Sequence, residues 1–213
     1  MKKLLSIISF IFFLNQSFAN NIEIGGGIIE SYSGEFPVYS NESKKMESYN
    51  MPLLFSISSN NLKIQYINYQ QIARGKATNT ASTAIVKNSI ISFNYNGDMP
   101  IDKDSLLNYY FGIGLFDSVY EVHYNTLGYT DDFATNIFGN SSSQIDPGLI
   151  LGVSYKQTIG KTYFGFNLTL IPSKKIKYDY ASVNGKYYLS SWDELEEIDV
   201  SGNIIYLITG MNF

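Results

Sequence analysis

Ile145-Asp146-Pro147-Gly148-Leu149-Ile150-Leu151-Gly152-Val153-Ser154-Tyr155-Lys156 is the stretch that decides the fold. Its odd positions are all apolar or aromatic. Its even positions, Ile150 excepted, are small or polar. A period of two puts the two sets on opposite faces of one β-strand, so one face is greasy and the other is not.

The same pattern recurs along the chain. Leu107, Tyr109, Phe111, Ile113 and Leu115 alternate with Asn108, Tyr110, Gly112 and Gly114. Phe164, Phe166, Leu168 and Leu170 alternate with Gly165, Asn167 and Thr169. Met51, Leu53, Phe55 and Ile57 oppose Pro52, Leu54, Ser56 and Ser58, and Leu62, Ile64 and Tyr66 oppose Lys63 and Gln65. Weaker windows run over 22–31, which holds Gly25, Gly26 and Gly27, and over 85–95, with Ile91, Phe93 and Tyr95 on the apolar face. The last is 203–213, with Ile205, Leu207, Thr209, Met211 and Phe213 on one side. These windows predict eight strands.

Short and long connections alternate between them. The short ones are Asn60-Asn61, suited to positive φ, then Asn96-Gly97-Asp98-Met99-Pro100 and the few residues after it, and 157–161 with Gly160 for the left-handed position. The long ones are 34–50, 73–84, 117–144 and 172–201. Past Leu14 no apolar run approaches the roughly 18 residues of a spanning helix. A membrane role therefore falls to strands. Strict alternation of short turns and long loops is the habit of a closed, antiparallel, up-and-down transmembrane β-barrel. The predicted class is all-β with eight strands. Ten is the alternative if a loop hairpin joins the wall.

Polarity separates this barrel from a soluble one. A water-soluble eight-stranded barrel turns its apolar face inward. Faces rich in Gly, Ser, Asn and Thr do not fill a dry core at interior density. The apolar faces are therefore expected to turn outward to lipid, and closure leaves no unpaired edge there. By the same parity Glu23, Lys63, Asp146 and Lys156 fall on the inner face. Glu23 and Lys63 begin their strands at one end of the barrel, which would allow an internal ion pair although strands one and three are not neighbours.

Composition agrees. The 213 residues are 45% hydrophobic and 15% aromatic, but only 16% charged, with net charge -4. A soluble chain carries about 25% charged residues. Without cysteine there is no disulfide, thiol nucleophile or thiolate metal site, and a single histidine argues against a histidine-built zinc centre. A pI near 5.0 argues against nucleic acid as a partner. Residues 1–19 read as a cleaved signal peptide: Met1-Lys2-Lys3, the apolar Leu4 to Leu14, then Ser17-Phe18-Ala19. Residues 20–213 are then one barrel domain. Loss of Lys2 and Lys3 leaves 13 basic against 19 acidic residues, a net of -6.

The whole pattern resembles the outer-membrane β-barrel proteins of Gram-negative bacteria, particularly small barrels of the OmpA/OmpX type. Tyr206-Leu207-Ile208-Thr209-Gly210-Met211-Asn212-Phe213 is similar to their last strand, which ends in Phe after alternating apolar residues. Thr209 departs from the preferred apolar residue. The resemblance implies a place in the bacterial outer membrane, contact with its lipid and lipopolysaccharide, and recognition of the strand ending in Phe213 by the barrel assembly machinery. Tyr66, Tyr95, Phe116, Tyr155 and Phe164 are expected in headgroup-level girdles. Tyr120, Tyr124 and Tyr129, then Tyr178, Tyr180, Tyr187 and Tyr188, either extend the wall as strands, with Val183-Asn184-Gly185 as a turn, or form a recognition surface for a host or surface ligand.

Chemistry is sparse. Small outer-membrane barrels include lipid A enzymes that use a His with a Ser and an acid, and His123 lies on the external side of the predicted wall. Asn125 stands where the deacylase pattern has Ser, and nothing in the spacing selects Ser118 or Ser141. No catalytic residue is assigned. Asp131-Asp132 and Asp193, Glu194, Glu196, Glu197 and Asp199 are acidic enough to attract divalent cations but lack an EF-hand spacing. Ser191-Trp192-Asp193-Glu194 fits a helix-capping box better. No metal or cofactor is assigned. Three function classes follow: a plugged structural or surface-interaction barrel, a narrow channel for small or hydrophobic solutes, and an outer-leaflet lipid A-modifying enzyme.

Overall fold

A computed structural model describes residues 20–32, 35–38, 42–45, 47–48, 50–77, 80–126, 134–137, 146–177 and 197–213. Eight long strands carry the fold: β1 (Asn21–Tyr32), β2 (Leu53–Ser59), β3 (Leu62–Ala77), β4 (Thr80–Pro100), β5 (Ser105–Thr126), β6 (Asp146–Ile159), β7 (Thr162–Ile171) and β8 (Gly202–Asn212). Each pairs antiparallel with the next, and β8 returns to β1 from Asn21↔Asn212 to Tyr32↔Gly202, so the sheet closes on itself. Four short ladders sit outside the ring. Glu35–Val38 pairs with Glu42–Lys45, Glu47–Ser48 adds to β3, Ala134–Ile137 adds to β5, and Lys175–Lys177 pairs with Glu197–Asp199. The ring therefore has eight members, not ten.

The tight turns form for the expected reasons at two of three places. Asn60 (φ 50) and Gly160 (φ 64) take the left-handed conformation in two-residue connections. The third turn falls in the last part of its predicted stretch rather than at Asn96-Gly97. Asn96 to Pro100 stay in the β4–β5 ladder, and the chain reverses over 101–104, where the Asp102 carboxylate accepts the Asp104 amide at 2.9 Å. Gly97 marks no turn; it faces Tyr109 in register, and the Tyr109 ring occupies the space a side chain would need.

Parity holds throughout the ring. Phe93, Phe111, Phe166 and Leu207 are about half or more exposed on the outside, whereas Gln65, Ser92, Asn94, Asn167 and Thr169 are buried inside. From Leu107 to Leu115 the outer face of β5 is apolar over about 27 Å of strand, or roughly 21 Å of height at the tilt such barrels adopt. Asn68, Ser89 and Asp117, in one row across β3, β4 and β5, end that band at the loop end.

Four expectations need correction. The connection predicted over 73–84 is ladder, since β3 and β4 remain paired to Ala77↔Thr80. β5 likewise runs to Thr126, which shortens the connection predicted over 117–144 and puts Tyr120 and Tyr124 in the wall, as the first of the two readings of these tyrosines has it. Above Ile85 the sequence turns to Thr, Ser and Ala, and a strand with no apolar face gives no hydrophobic period to read. Phe116 is not in a girdle: it is 1% exposed inside the lumen, as its place next to outward Leu115 requires. The inner face also holds more than small polar groups. Leu54, Ile67, Val86, Ile90, Ile150, Ile171, Ile204 and Ile208 fill its loop-end half. The segments 1–19, 127–133, 138–145 and 178–196 lie outside the described residues, and with them the signal peptide, Tyr129, Ser141, Asp131, Asp132, the tyrosines of the last loop and the capping box.

Candidate functional site

The turn-end half of the lumen is built around Glu23, the third residue of β1. Its Oε1 meets Lys63 Nζ of β3 at 3.1 Å, and its Oε2 meets Lys156 Nζ of β6 at 2.9 Å. Ser56 of β2 donates to Oε1 at 3.3 Å, and the Tyr163 hydroxyl of β7 donates to Oε2 at 3.2 Å. One carboxylate thus gathers four other strands. Glu23 and Lys63 are essentially unexposed, and Lys156 is nearly so. Each ammonium also sits over a ring: Lys63 is 4.5 Å from the Tyr110 centroid and Lys156 is 4.6 Å from that of Tyr163. A charge in such a place is retained only with partners on every side.

Around it lies an amide and hydroxyl network. Asn94 Nδ2 donates to Gln65 Oε1 at 3.0 Å and Ser92 Oγ at 2.8 Å, and Asn167 Nδ2 donates to Ser154 Oγ at 2.8 Å. Tyr110 crosses from β5 to β7, where its hydroxyl lies 2.9 Å from Asn167 Oδ1 and 2.7 Å from Thr169 Oγ1. It passes over Gly152, its partner in register on β6, and a Cβ there would collide with the ring. Tyr163 uses the same device to pass over Gly210 toward Glu23, and Tyr206 lies over Gly27. At each of these three places the ring fits because one facing residue has no side chain.

The loop-end half is different. Above the apolar packing, the described residues just after β7 and just before β8, 172–177 and 197–201, lie across the opening. Val200 is fully buried, its carbonyl accepts the Tyr69 hydroxyl of β3 at 2.9 Å, and its amide donates to Lys174 O at 2.7 Å. Lys174 Nζ meets Asp146 Oδ2 at 2.6 Å and Pro147 O at 3.0 Å on β6, with the Phe116 centroid 5.3 Å away. Ser201 ties this strap to itself, donating through its amide to Asp199 Oδ1 at 2.8 Å and accepting the Lys174 amide at 3.0 Å. The lumen is closed at this end by its own chain.

The structure brings together three of the four inner charges read from parity, Glu23, Lys63 and Lys156, and sends the fourth, Asp146, to Lys174. Lys174 carries no sequence signal, because it falls in a segment with no strand period. Parity places Lys156 on the inner face but does not join it to Glu23, because the tie spans the lumen rather than a ladder. Ser118, considered as a nucleophile, is a buried network member whose hydroxyl donates to Asn88 Oδ1 at 2.7 Å. His123 sits in β5, in register with Thr83 and Asn136. Glu197 and Asp199 belong to a strand paired with Lys177 and Lys175, not to a short helix. Among the described residues no group of three or more His, Cys, Asp or Glu is disposed to hold a metal.

No family model matches the chain, and no curated protein does. Three solved structures are similar to it. Ail, the attachment invasion locus protein of Yersinia pestis, is 9% identical with a TM-score of 0.39, over 91% of this chain and 97% of that one. The outer membrane protein OprG from Pseudomonas aeruginosa is 9% identical with a TM-score of 0.44, over 92% and 97%. Neisserial surface protein A is 13% identical with a TM-score of 0.35, over 91% and 95%. At these identities the likeness is one of architecture, and the closed eight-stranded ring stands on the chain's own pairing.

Proposed function

We propose that this chain is an integral β-barrel of the bacterial outer membrane that anchors and displays its loop end, with a structural or surface-interaction role. The observation that carries the reading is the pairing of an apolar outer belt with a filled lumen. Phe111, Ile113, Phe166 and Leu207 stand out from the wall where water would oppose them, while Tyr206, Val200, Ile67 and Glu23 leave essentially no exposed interior. Lipid removes the cost of the first, and the second leaves the barrel as a solid post. Among the described residues β3, β4 and β5 continue beyond the apolar belt, and in this reading their upper parts face lipopolysaccharide and whatever meets the cell.

Two measurements test this. The protein is expected in the outer-membrane fraction and to migrate differently on gels when boiled and unboiled; a soluble protein whose migration ignores boiling overturns the membrane reading. In a planar bilayer the wild-type barrel is expected to stay silent, since the described lumen offers no through-path, and steady unitary conductance would replace the post with a channel. Deleting the loops one at a time and measuring adhesion of intact cells then locates the interacting surface.

A further inference from the structure

We infer that the Glu23 triad is the register pin of the β1–β8 seam, the device that makes this barrel close in one alignment. The inference goes beyond the proposed role and concerns how the chain reaches one structure.

The seam joins the two strands most distant in sequence, Asn21 to Asn212, so its alignment is not dictated by a hairpin turn. Side-chain pattern is also weak there. β1 reads Ile22-Glu23-Ile24-Gly25-Gly26-Gly27-Ile28-Ile29, and register is poorly specified in glycine-rich strands. A slip of two residues keeps the inside and outside faces, since Ile22 and Ile24 simply exchange places toward lipid.

Sterics resist the two slips unequally. In the native register Tyr206 lies over Gly27, where a Cβ would meet the ring at 2.9 Å and come closer still to the Ile205 carbonyl oxygen. Sliding β1 one way brings Ile29 opposite Tyr206 and is refused. Sliding it the other way brings Gly25 opposite Tyr206 and Gly27 opposite Ile204, and Gly25 has no Cβ to meet the ring. The tight contact of this second slip is Glu23 in the place of Gly25, where a Cβ meets the Ile208 Cγ2 methyl at 2.9 Å. The glycine run sets only that side-chain contact against it.

Glu23 opposes it. In the slipped alignment its partner is Ile208, and the carboxylate has moved about 6.7 Å along the strand. A slip of the seam leaves β1 laddered to β2, so Glu23 keeps Ser56 and Lys63 but leaves Lys156 at 2.9 Å and Tyr163 at 3.2 Å across the seam, and the buried Lys156 ammonium loses the carboxylate. The Asn21 bond to Ser58 does not set the seam, because it joins β1 to β2 rather than to β8. Lys63 and Lys156 are held on β3 and β6 by their own ladders, so the triad references β1 to strands it never pairs with.

The chain has no cysteine, so introduced pairs report register cleanly. Ile24→Cys with Thr209→Cys reports the native seam, and Ile24→Cys with Leu207→Cys reports the slipped one, each trapped with a short bifunctional thiol reagent during refolding. With the triad intact the first pair is expected to crosslink almost alone. Glu23→Ala should lower the native-to-slipped ratio by roughly tenfold or more. If Glu23→Ala does not fold, the apolar replacement Glu23→Leu with Lys63→Met and Lys156→Met, which removes all three charges together, decides the matter. A closed barrel of mixed register supports the pin; a closed barrel of native register alone overturns it. Failure of both variants to close would make the triad a requirement for folding at all and overturns the register role as well.

Discussion

The two ends of the lumen bury a lysine and a carboxylate in opposite ways. At the turn end Glu23 is sealed among two ammoniums, a hydroxyl and a phenol drawn from four other strands, and its side chain has no exposure. At the loop end Lys174 is buried but Asp146 keeps 44% of its side-chain surface, so water solvates half of the pair. The first arrangement has no second carboxylate within the buried cluster if it is broken. The second can exchange one partner for solvent. What the difference teaches is that position relative to water, not the count of ion pairs, decides which of them holds the barrel together.

The sharpest way to break the contrast is Glu23→Ala. Two ammoniums then lose the buried carboxylate they share, with only the exposed Asp98 acting on Lys156 from a distance, at a cost of about 3–5 kcal/mol. Urea titration of the barrel in detergent, followed by gel migration of unboiled samples, measures it. A loss below about 1 kcal/mol would put the turn end in the same class as exposed pairs.

Next in size is the close approach that lets rings cross the turn-end half. Gly152→Val puts a side chain where the Tyr110 ring lies and pushes its hydroxyl away from Asn167 and Thr169. The expected loss is about 1–3 kcal/mol. A smaller residue at 110 supplies the control: Gly152→Val with Tyr110→Leu should cost clearly less than the sum of the two single changes, because the clash they share is gone. Strict additivity would mean that ring and glycine are not coupled.

Much of this contrast is legible in the amino-acid sequence. Alternation alone assigns Glu23, Lys63 and Lys156 to the inner face, and it assigns the outward belt residue by residue, because a period of two has only one way to place a closed wall in lipid. It misses what does not repeat every second residue. The upper parts of β3 and β4 have no apolar face and read as a loop, whereas in β5 Tyr120, Val122 and Tyr124 keep the period of two that a wall extension needs. Lys174, Val200 and Ser201 close the lumen from a segment whose backbone leaves the wall. The Tyr110–Gly152 and Tyr163–Gly210 pairs are invisible for another reason: they are facts of register, and register across different hairpins is set by closure rather than by local sequence.

At the loop end, Tyr69→Phe removes a single hydrogen bond and leaves the Val200 carbonyl buried without its partner. The global cost is expected at about 1–2 kcal/mol, most of it local to the strap. Hydrogen exchange checks this directly. The Val200 amide, which donates to Lys174 O, should exchange faster in the variant, while the Glu23 end of the lumen stays protected. Equal acceleration at both ends would show that the two halves open as one unit.

The smallest effect belongs to Lys174→Met. Methionine keeps the unbranched stem against Phe116 and loses only the ammonium, and the carboxylate left behind on Asp146 is already half in water. A pair of that kind contributes about 0–1 kcal/mol, part of which the new apolar contact offsets. Two readings can be taken on the same protein: a urea midpoint within error of wild type, and a modest rise in exchange at Ser201, whose oxygen accepts the Lys174 amide. The same chemical change made at Lys63 should cost several times more, since its partner Glu23 has no water to turn to. If Lys174→Met and Lys63→Met prove equally costly, solvent access to the carboxylate is not what separates the two ends, and the apolar packing around Ile67 and Ile90, rather than the turn-end charges, holds the lumen together.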